Sequence, residues 1–259
     1  MAKPPVVVMC LLLNGLFASS MASAQDVSGT FDAVKPALAL LSYTDQGNIH
    51  FGTAFCIKSS GATSYFLTNK HVVSSRKTIN VDLLGAPGHT FTGTVVAQSP
   101  SVDAAIVRVD VGSVKTLQLA TDPPRVGQAV SIVGFPLFQV RYLLSSHNLV
   151  ASLHSGTVNA LLFDSAYIEY DAQTDKGNSG GPIVDNSTGK VYGIVTYIFP
   201  GASRVIQNNF GVSVSDFPDL LASINLADVP AVVPSPQALQ SAQGFFSSAA
   251  ASTGSYPQH

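Results

Sequence analysis

The feature that most constrains the fold is a succession of short strand-like segments separated by turn residues. Each segment is rich in branched and aromatic residues and is too short to be a typical helix. Two prolines in the connector 121–125 cannot lie inside a sheet, so they divide the segments into two groups. The first group is predicted at residues 37–43, 49–58, 65–68, 78–83, 90–97 and 104–109. The second is predicted at 129–134, 149–159, 166–172, 190–198 and 205–214, with a further strand starting at Ile183-Val184.

These segments predict an all-β fold of two six-stranded antiparallel β-barrels with a site between them. The N-terminal barrel spans about residues 30–120 and the C-terminal barrel about 128–222, and a capped short helix at 216–221 closes the fold. With 46% hydrophobic and 11% charged residues, the chain has enough apolar side chains for a large core.

Both ends of the chain differ in composition from the body. Residues 1–24 are predicted to be a secretory signal, with Lys3, an apolar stretch and a small-residue cleavage site before Gln25. No later segment is long enough to span a membrane, so the mature chain is expected to be secreted or periplasmic. Residues 25–225 are assigned to the folded domain, and the Pro-, Ala- and Ser-rich stretch 226–259 to a flexible tail.

Charge and cysteine content narrow the possible partners and stabilising bonds. A net charge of −2 without a dense basic stretch gives no reason to expect nucleic-acid binding. Once the signal is removed, Cys56 is the only cysteine, so no internal disulfide can form. Its apolar neighbours predict an inert place in the core rather than a catalytic thiol.

The stretch Asp175-Lys176-Gly177-Asn178-Ser179-Gly180-Gly181-Pro182 carries the strongest chemical signal. Its glycines permit a tight turn before the next strand. In such a turn the backbone N–H groups of Gly177 and Ser179 can converge beside the Ser179 hydroxyl and form an oxyanion hole. A Gly-rich hairpin turn alone would be the simpler interpretation, so the signal depends on a base and an acid elsewhere in the chain.

His71 is the best candidate for the base. It follows the predicted strand 65–68 and precedes Val72-Val73, which would pack and hold the imidazole at a strand end. The other histidines lie inside a strand or in polar, turn-like segments.

Asp103 is the best candidate for the acid that orients the base. It stands just ahead of an apolar strand, and its small neighbours Ala104 and Ala105 would let another side chain enclose it. Asp82 and Asp110 are alternatives in less favourable settings.

Three strings together resemble the trypsin-like serine proteases, in particular the bacterial HtrA/DegP branch. They are 66–73 (FLTNKHVV), 103–107 (DAAIV) and 177–182 (GNSGGP), in this order along the chain. The resemblance extends over about residues 30–222. It departs from the family in three respects: no PDZ-like domain follows, Asn178 replaces the acid of digestive trypsins, and no Ile-Val-Gly-Gly activation site follows the signal.

The resemblance implies a serine endopeptidase that acts on protein or peptide substrates without metal or cofactor. It assigns His71 as general base, Asp103 as its orienter, Ser179 as nucleophile, and the N–H groups of Gly177 and Ser179 as the oxyanion hole. Thr196 stands where a hydroxyl often supports the buried acid. The substrate side chain would enter a pocket lined by Gln173, Thr196, Ile198 and Gly211, which favours small or medium aliphatic residues.

Two other functions are compatible with the sequence. A catalytically silent trypsin-like scaffold could bind peptides or partner proteins without cleaving them. An esterase using the same three residues is weaker, because the chain lacks the Gly-x-Ser-x-Gly elbow of the α/β-hydrolases.

Overall fold

The structure is a computed structural model that describes residues 27–137, 149–200 and 207–224. The predicted signal 1–24 and the predicted tail 226–259 lie outside the described residues, as does His147. The backbone of Ile198 is described, whereas its side chain is not.

The first half of the described chain forms a closed six-stranded antiparallel barrel in which β1 pairs with both β2 and β4. Around the barrel the strand order is β1-β2-β3-β6-β5-β4. The strands are β1 (Leu38–Asp45), β2 (Asn48–Ser60), β3 (Thr63–Thr68), β4 (Thr78–Leu83), β5 (Thr90–Gln98) and β6 (Ala105–Val109).

The second half forms another closed six-stranded barrel, with the strand order β10-β11-β12-β9-β8-β7. Its strands are β7 (Ala129–Gly134), β8 (Ser152–Leu162), β9 (Tyr167–Tyr170), β10 (Pro182–Asp185), β11 (Val191–Pro200) and β12 (Gln207–Ser213). The predicted all-β fold of two six-stranded barrels is therefore confirmed. Because both sheets of the described residues close into barrels, neither has an edge strand free for pairing with another chain.

Helical segments are short and lie at the ends of the barrels. They are α1 (Ser28–Val34), a 3₁₀ turn at Lys35–Ala37, α2 (Lys70–Val73), a 3₁₀ turn at Val214–Asp216 and α3 (Pro218–Ala222). The last helix begins at Pro218 rather than Asp216, and no side chain caps it, so the predicted cap is wrong. Proline at the first helical position accounts for this start, since a proline there sacrifices no intrahelical hydrogen bond.

Apolar side chains fill both barrels. Phe55, Phe66 and Leu67 are fully buried in the first barrel, and Ile168 and Ile183 in the second. Among the described residues, no helix is long and apolar enough to cross a membrane.

Cys56 is a free, fully buried cysteine on β2. Burial raises the pKa of its thiol to about 11, outweighing the hydrogen bonds around it. A thiol of this kind is almost entirely protonated at neutral pH, which agrees with the predicted inert role.

Asp216 is a buried carboxyl group at the closing end of the second barrel. It is 7% exposed, and neither of its oxygens has a hydrogen-bond partner in the described part of the chain. Burial raises its pKa to about 6. In the unfolded chain the carboxyl ionises near pH 3.9. As the pH rises from about 4 to above 6, ionisation therefore weakens the folded state relative to the unfolded one.

We expect Asp216→Asn to stabilise the protein increasingly as the pH rises, because asparagine removes the buried charge. Relative to wild type, the gain in melting temperature should increase by about 2–4 °C between pH 4 and pH 8, the effect of about 1 kcal/mol in a protein of this size. Thermal unfolding at both pH values measures it. Asp219→Asn, an exposed change on the adjacent helix, is the matched control. A gain that is the same at both pH values would contradict the prediction.

Candidate active site

The three residues predicted to act together lie where the two barrels meet. His71 is on α2, which directly follows β3, and Asp103 lies in the turn before β6 of the same barrel. Ser179 belongs to the other barrel, in the loop that leads into β10. All three line one cavity of about 520 Å³.

Packing of its helix holds His71 in place. Val72 and Val73 are buried, and Val72 lies against Gly52 of β2, where an added Cβ would be 2.6 Å from a Val72 methyl group. The imidazole itself is 49% exposed. The backbone is therefore anchored in the core while the ring faces the cavity.

Asp103 accepts three hydrogen bonds from two residues. Oδ1 accepts the His71 backbone N–H at 2.9 Å, and Oδ2 lies 2.6 Å from His71 Nδ1. Oδ2 also accepts the hydroxyl of Thr196 at 2.6 Å. An ionised carboxylate can only accept, so the ring proton belongs on Nδ1 and Nε2 is free to take a proton.

The charge state of Asp103 agrees with this role. Burial by itself would raise its pKa, but the hydrogen bond and charge of His71, the Thr196 hydroxyl and the His71 amide together outweigh burial. The pKa of Asp103 is therefore lowered. The carboxylate stays ionised at neutral pH.

The Ser179 loop has a backbone that requires glycine at two places. Gly177 has φ +98° and Gly180 has φ +85°, in the region that side chains rarely adopt. A Cβ at Gly177 would meet the carbonyl oxygen of Phe135, and one at Gly180 would meet that of Thr53. Substitution at either glycine would therefore displace the loop.

Four consecutive carbonyl groups of this loop, from Lys176 to Ser179, each accept a hydrogen bond. The Lys176 carbonyl accepts the N–H of Leu137 at 2.7 Å, and the Asn178 carbonyl accepts that of Gly181 at 2.8 Å. In a trans peptide the N–H points away from the C=O. The N–H of Gly177 shares a peptide plane with the Lys176 carbonyl, and the N–H of Ser179 shares one with the Asn178 carbonyl. Each N–H therefore points away from the hydrogen bond on its carbonyl, and neither donates a hydrogen bond within the described residues.

Such a pair of fixed, unpaired amides beside a serine has the chemistry of an oxyanion site. Because the carbonyl on each of the two peptide planes is held, the N–H groups are oriented before any ligand arrives. Pre-oriented donors stabilise developing negative charge without reorganisation.

The predicted specificity residues are not all on the cavity wall. Thr196 lines the cavity, whereas Gln173 is exposed and is not among the lining residues. At Gly211 an added Cβ would meet the side chain of Ile183 inside the barrel, so that position faces the core. The side chain of Ile198 lies outside the described part of the structure.

Among the described residues, eight further side chains line the cavity, and the sequence had predicted no role for them. They are Lys70, Ser101, Val102, Tyr167, Thr174, Asp175, Lys176 and Val195. Asp175 and Lys176 directly precede the predicted oxyanion residue Gly177, so their proximity to it was readable from the sequence. Tyr167 gave no such signal, because an aromatic residue in a strand is typical of the core.

The alternative acids have other partners. Asp82 accepts the hydroxyl of Thr90, and Asp110 pairs with Arg108 at 2.9 Å on the surface. His50 stacks on Tyr43, with ring centroids 4.7 Å apart. Within the described residues, no group of three or more His, Cys, Asp or Glu side chains could hold a metal ion.

The sequence of residues 52–194, more than half of the chain, matches the family of trypsin-like peptidase domains. This chain is a member of the trypsin-like peptidase family. The matched segment contains His71, Asp103 and Ser179.

Relatives and solved structures place this trypsin-like peptidase in the HtrA branch. It is 29% identical over 171 residues to serine endoprotease DegS of Haemophilus influenzae, covering 62% of this chain and 46% of that protein. It is 27% identical over 169 residues to a probable periplasmic DegP-like serine endoprotease of Chlamydia trachomatis, covering 62% of this chain and 31% of that protein.

A solved structure, the HtrA-type protease AlgW with a tripeptide, is similar with a TM-score of 0.62 and 25% identity, covering 76% of this chain and 63% of that one. The chain spans less than half the length of the curated relatives it matches.

Proposed function

We propose that this trypsin-like peptidase is a serine endopeptidase with Ser179 as nucleophile, His71 as general base and acid, and Asp103 as the group that orients His71. The observation that carries the proposal is the arrangement around one cavity. There His71 is hydrogen-bonded to Asp103, and Ser179 lies beside two unpaired amides. These are the parts that acyl transfer requires.

In the proposed reaction, the Ser179 hydroxyl oxygen attacks the carbonyl carbon of the peptide bond and passes its proton to His71 Nε2. The carbonyl oxygen becomes negative and accepts hydrogen bonds from the N–H groups of Gly177 and Ser179. Asp103 stabilises the imidazolium that forms.

Collapse of this intermediate breaks the C–N bond, and the leaving amine takes the proton from His71. The acyl group then remains on the Ser179 oxygen. A water molecule next loses a proton to His71 and attacks the acyl carbon. The intermediate that forms then breaks its C–O bond to Ser179, which releases the acid product, and His71 returns its proton to the Ser179 oxygen.

The proposed place of action is outside the cytoplasm, secreted or periplasmic. Two observations support it: the signal-like residues 1–24, and the periplasmic designation of DegP-like relatives. The proposed substrates are proteins or peptides.

The proposal is tested with a fluorophosphonate probe, which reacts covalently with an activated serine. We expect the purified protein to be labelled at Ser179 and to cleave a denatured protein substrate. Ser187→Ala, which changes a serine hydrogen-bonded to Asp185, is the matched control and should be labelled as wild type is. Absence of both labelling and cleavage would favour the silent scaffold.

We expect cleavage after small or medium aliphatic residues rather than after lysine or arginine. Val102 and Val195 contribute apolar surface to the cavity, and Asp103 is already paired with His71. A buried basic side chain would lose several kcal/mol of hydration. The other lining carboxylate among the described residues, that of Asp175, is offset by two lining lysines, Lys70 and Lys176. Since about 1.4 kcal/mol is tenfold in rate, the discrimination should exceed about 100-fold. Cleavage of a peptide library measures it, and a preference for Arg or Lys would contradict the expectation.

A further inference from the structure

Thr53 of β2 is a fully buried residue at the contact between the two barrels. Its hydroxyl donates to the Gly177 carbonyl at 2.7 Å and accepts the N–H of Phe135 at 3.1 Å. Its backbone N–H donates to the Ser179 carbonyl at 2.8 Å. One residue of the first barrel therefore holds two carbonyl groups of the Ser179 loop, which belongs to the second barrel.

The hydroxyl of Thr53 differs from the other three donors that hold this loop, because it belongs to a side chain. The carbonyls of Lys176, Asn178 and Ser179 are held by backbone N–H groups, which any residue except proline supplies. The Gly177 carbonyl is held by a side chain. Of the four hydrogen bonds, it is the one that a single substitution can remove without changing the backbone.

Gly177 is also the residue of the loop that most needs such a restraint. Because it has no side chain, its backbone can adopt many conformations, and in the folded protein its φ is +98°. The peptide between Gly177 and Asn178 is held at its N–H by the Asp175 carbonyl at 3.1 Å and at its C=O by the Thr53 hydroxyl. It joins the two peptide planes that carry the neighbouring amides, so its rotation would displace both. Those amides belong to Gly177 and Ser179, the two proposed oxyanion donors.

The second hydrogen bond of the Thr53 hydroxyl connects it to the segment 135–137, which also contacts the Ser179 loop. Phe135, which donates to Thr53, has its own carbonyl against Gly177, and Leu137 donates to the Lys176 carbonyl. Residues 135–137 and Thr53 thus enclose the loop from two sides, and the Thr53 hydroxyl joins them.

We propose that Thr53 is the positioning residue of the oxyanion hole, acting through its hydroxyl on the Gly177 peptide. This inference rests on the proposed serine endopeptidase function. Thr53 is fully buried, and its hydroxyl is hydrogen-bonded to backbone groups of Gly177 and Phe135 rather than to the Ser179 hydroxyl. Together with the hydrogen bonds from Leu137 and Gly181, this hydroxyl keeps the two amides aligned, so its removal should affect the transition state more than substrate binding.

The test compares Thr53→Val, which keeps the shape but lacks the hydroxyl, with Thr53→Ser, which keeps the hydroxyl. Loss of an oxyanion donor or of its alignment typically costs about 100-fold or more in rate. We expect Thr53→Val to lower kcat about 100-fold with KM nearly unchanged, and Thr53→Ser to stay within about threefold of wild type. The affinity for a peptide aldehyde, whose adduct places an oxygen in the hole, should fall with kcat.

Ser64→Ala is the matched control. Ser64 is also fully buried and donates to a carbonyl at 2.7 Å, but that carbonyl belongs to Val111 rather than to the Ser179 loop. The melting temperature of Ser64→Ala should fall, whereas its kcat should equal that of wild type. If Thr53→Val does not fold, Thr53→Ala removes the same hydroxyl in a smaller side chain and takes its place.

An active wild type combined with an equally active Thr53→Val would overturn the positioning role, as would equal losses in the Val and Ser variants. An inactive wild type would instead contradict the proposed function. A crystal structure of Thr53→Val tests the positioning separately from activity. We expect the Gly177 carbonyl to have rotated away from residue 53, and an unchanged loop would overturn the inference.

Discussion

Ser179→Ala should fold normally and hydrolyse peptides about a million times more slowly than wild type. The reason is that the hydroxyl oxygen forms the bond to the acyl group, and the methyl group of alanine has no atom that can do so. His71 and Asp103 act as a unit with the nucleophile, so little rate enhancement is left once the nucleophile is removed. Kinetics on a fluorogenic peptide, with the product confirmed by mass spectrometry, measures the loss.

The folded state should be nearly unaffected by Ser179→Ala. Ser179 is only half-buried, and the hydrogen bond that fixes it runs from the Thr53 N–H to its own backbone carbonyl, which alanine keeps. The melting temperature should therefore stay within a few degrees of wild type, as for most changes outside the core. Activity that survives in material purified free of other proteases would contradict the assignment of Ser179.

The fold was largely predictable because barrels of short strands leave a regular signal in sequence. Strands β4 and β7 begin and end where they were predicted, since Thr78–Leu83 and Ala129–Gly134 are bounded by clear turn residues. Strand β8 lies three residues later than predicted. Its ends are set by partners, Gly134 pairing with Ser152 and Tyr167 with Leu162, and not by its own residues.

Helix α1 was not predicted. No side chain caps it, and its first turn contains no acidic residue, so the usual signals of a helix start are missing. Burial of Val34 in the core shows that the segment is held by tertiary packing. Packing of this kind overrides local propensity and cannot be read from a single segment.

The candidate site was predictable in its motifs but not in its supports. His71, Asp103 and Ser179 stand in strings that resemble a known family, and each string is local. The hydrogen bond from Thr53 to Gly177 joins residues 124 positions apart, in two different barrels. No spacing rule connects them. The orientation of Gly211 toward the core was likewise unpredictable, because the direction in which a strand residue faces depends on the register of the strand.

Asp103→Asn should lower kcat about ten-thousandfold while leaving the protein folded. The carboxylate accepts His71 Nδ1–H and the Thr196 hydroxyl at one oxygen and the His71 backbone N–H at the other. Asparagine has a carbonyl oxygen and an NH₂ group in place of the two carboxylate oxygens. At least one of the three N–H or O–H groups that donate to Asp103 must therefore face the NH₂ group, which cannot accept. If the NH₂ group faces the ring, it favours the tautomer protonated on Nε2, which cannot take the proton of Ser179.

Stability against pH gives a second readout that is independent of hydrolysis. Because the pKa of Asp103 is lowered in the folded protein, its contribution to stability is fully present above the unfolded value of about 3.9 and is lost as the pH falls through the folded value. Asparagine does not titrate. The advantage in melting temperature that wild type holds over Asp103→Asn should therefore shrink between pH 6 and pH 3.

The two alternative acids supply the controls for this experiment. Asp110→Asn removes a surface charge paired with Arg108, and Asp82→Asn removes the acceptor of the Thr90 hydroxyl. Neither side chain contacts His71, so both variants should keep kcat within about threefold of wild type, since surface substitutions seldom perturb a fold. A near-normal kcat in Asp103→Asn would remove Asp103 from the proposed mechanism and leave His71 oriented by some other group. A large loss in either control would contradict the claim that the loss is specific to the carboxylate beside His71.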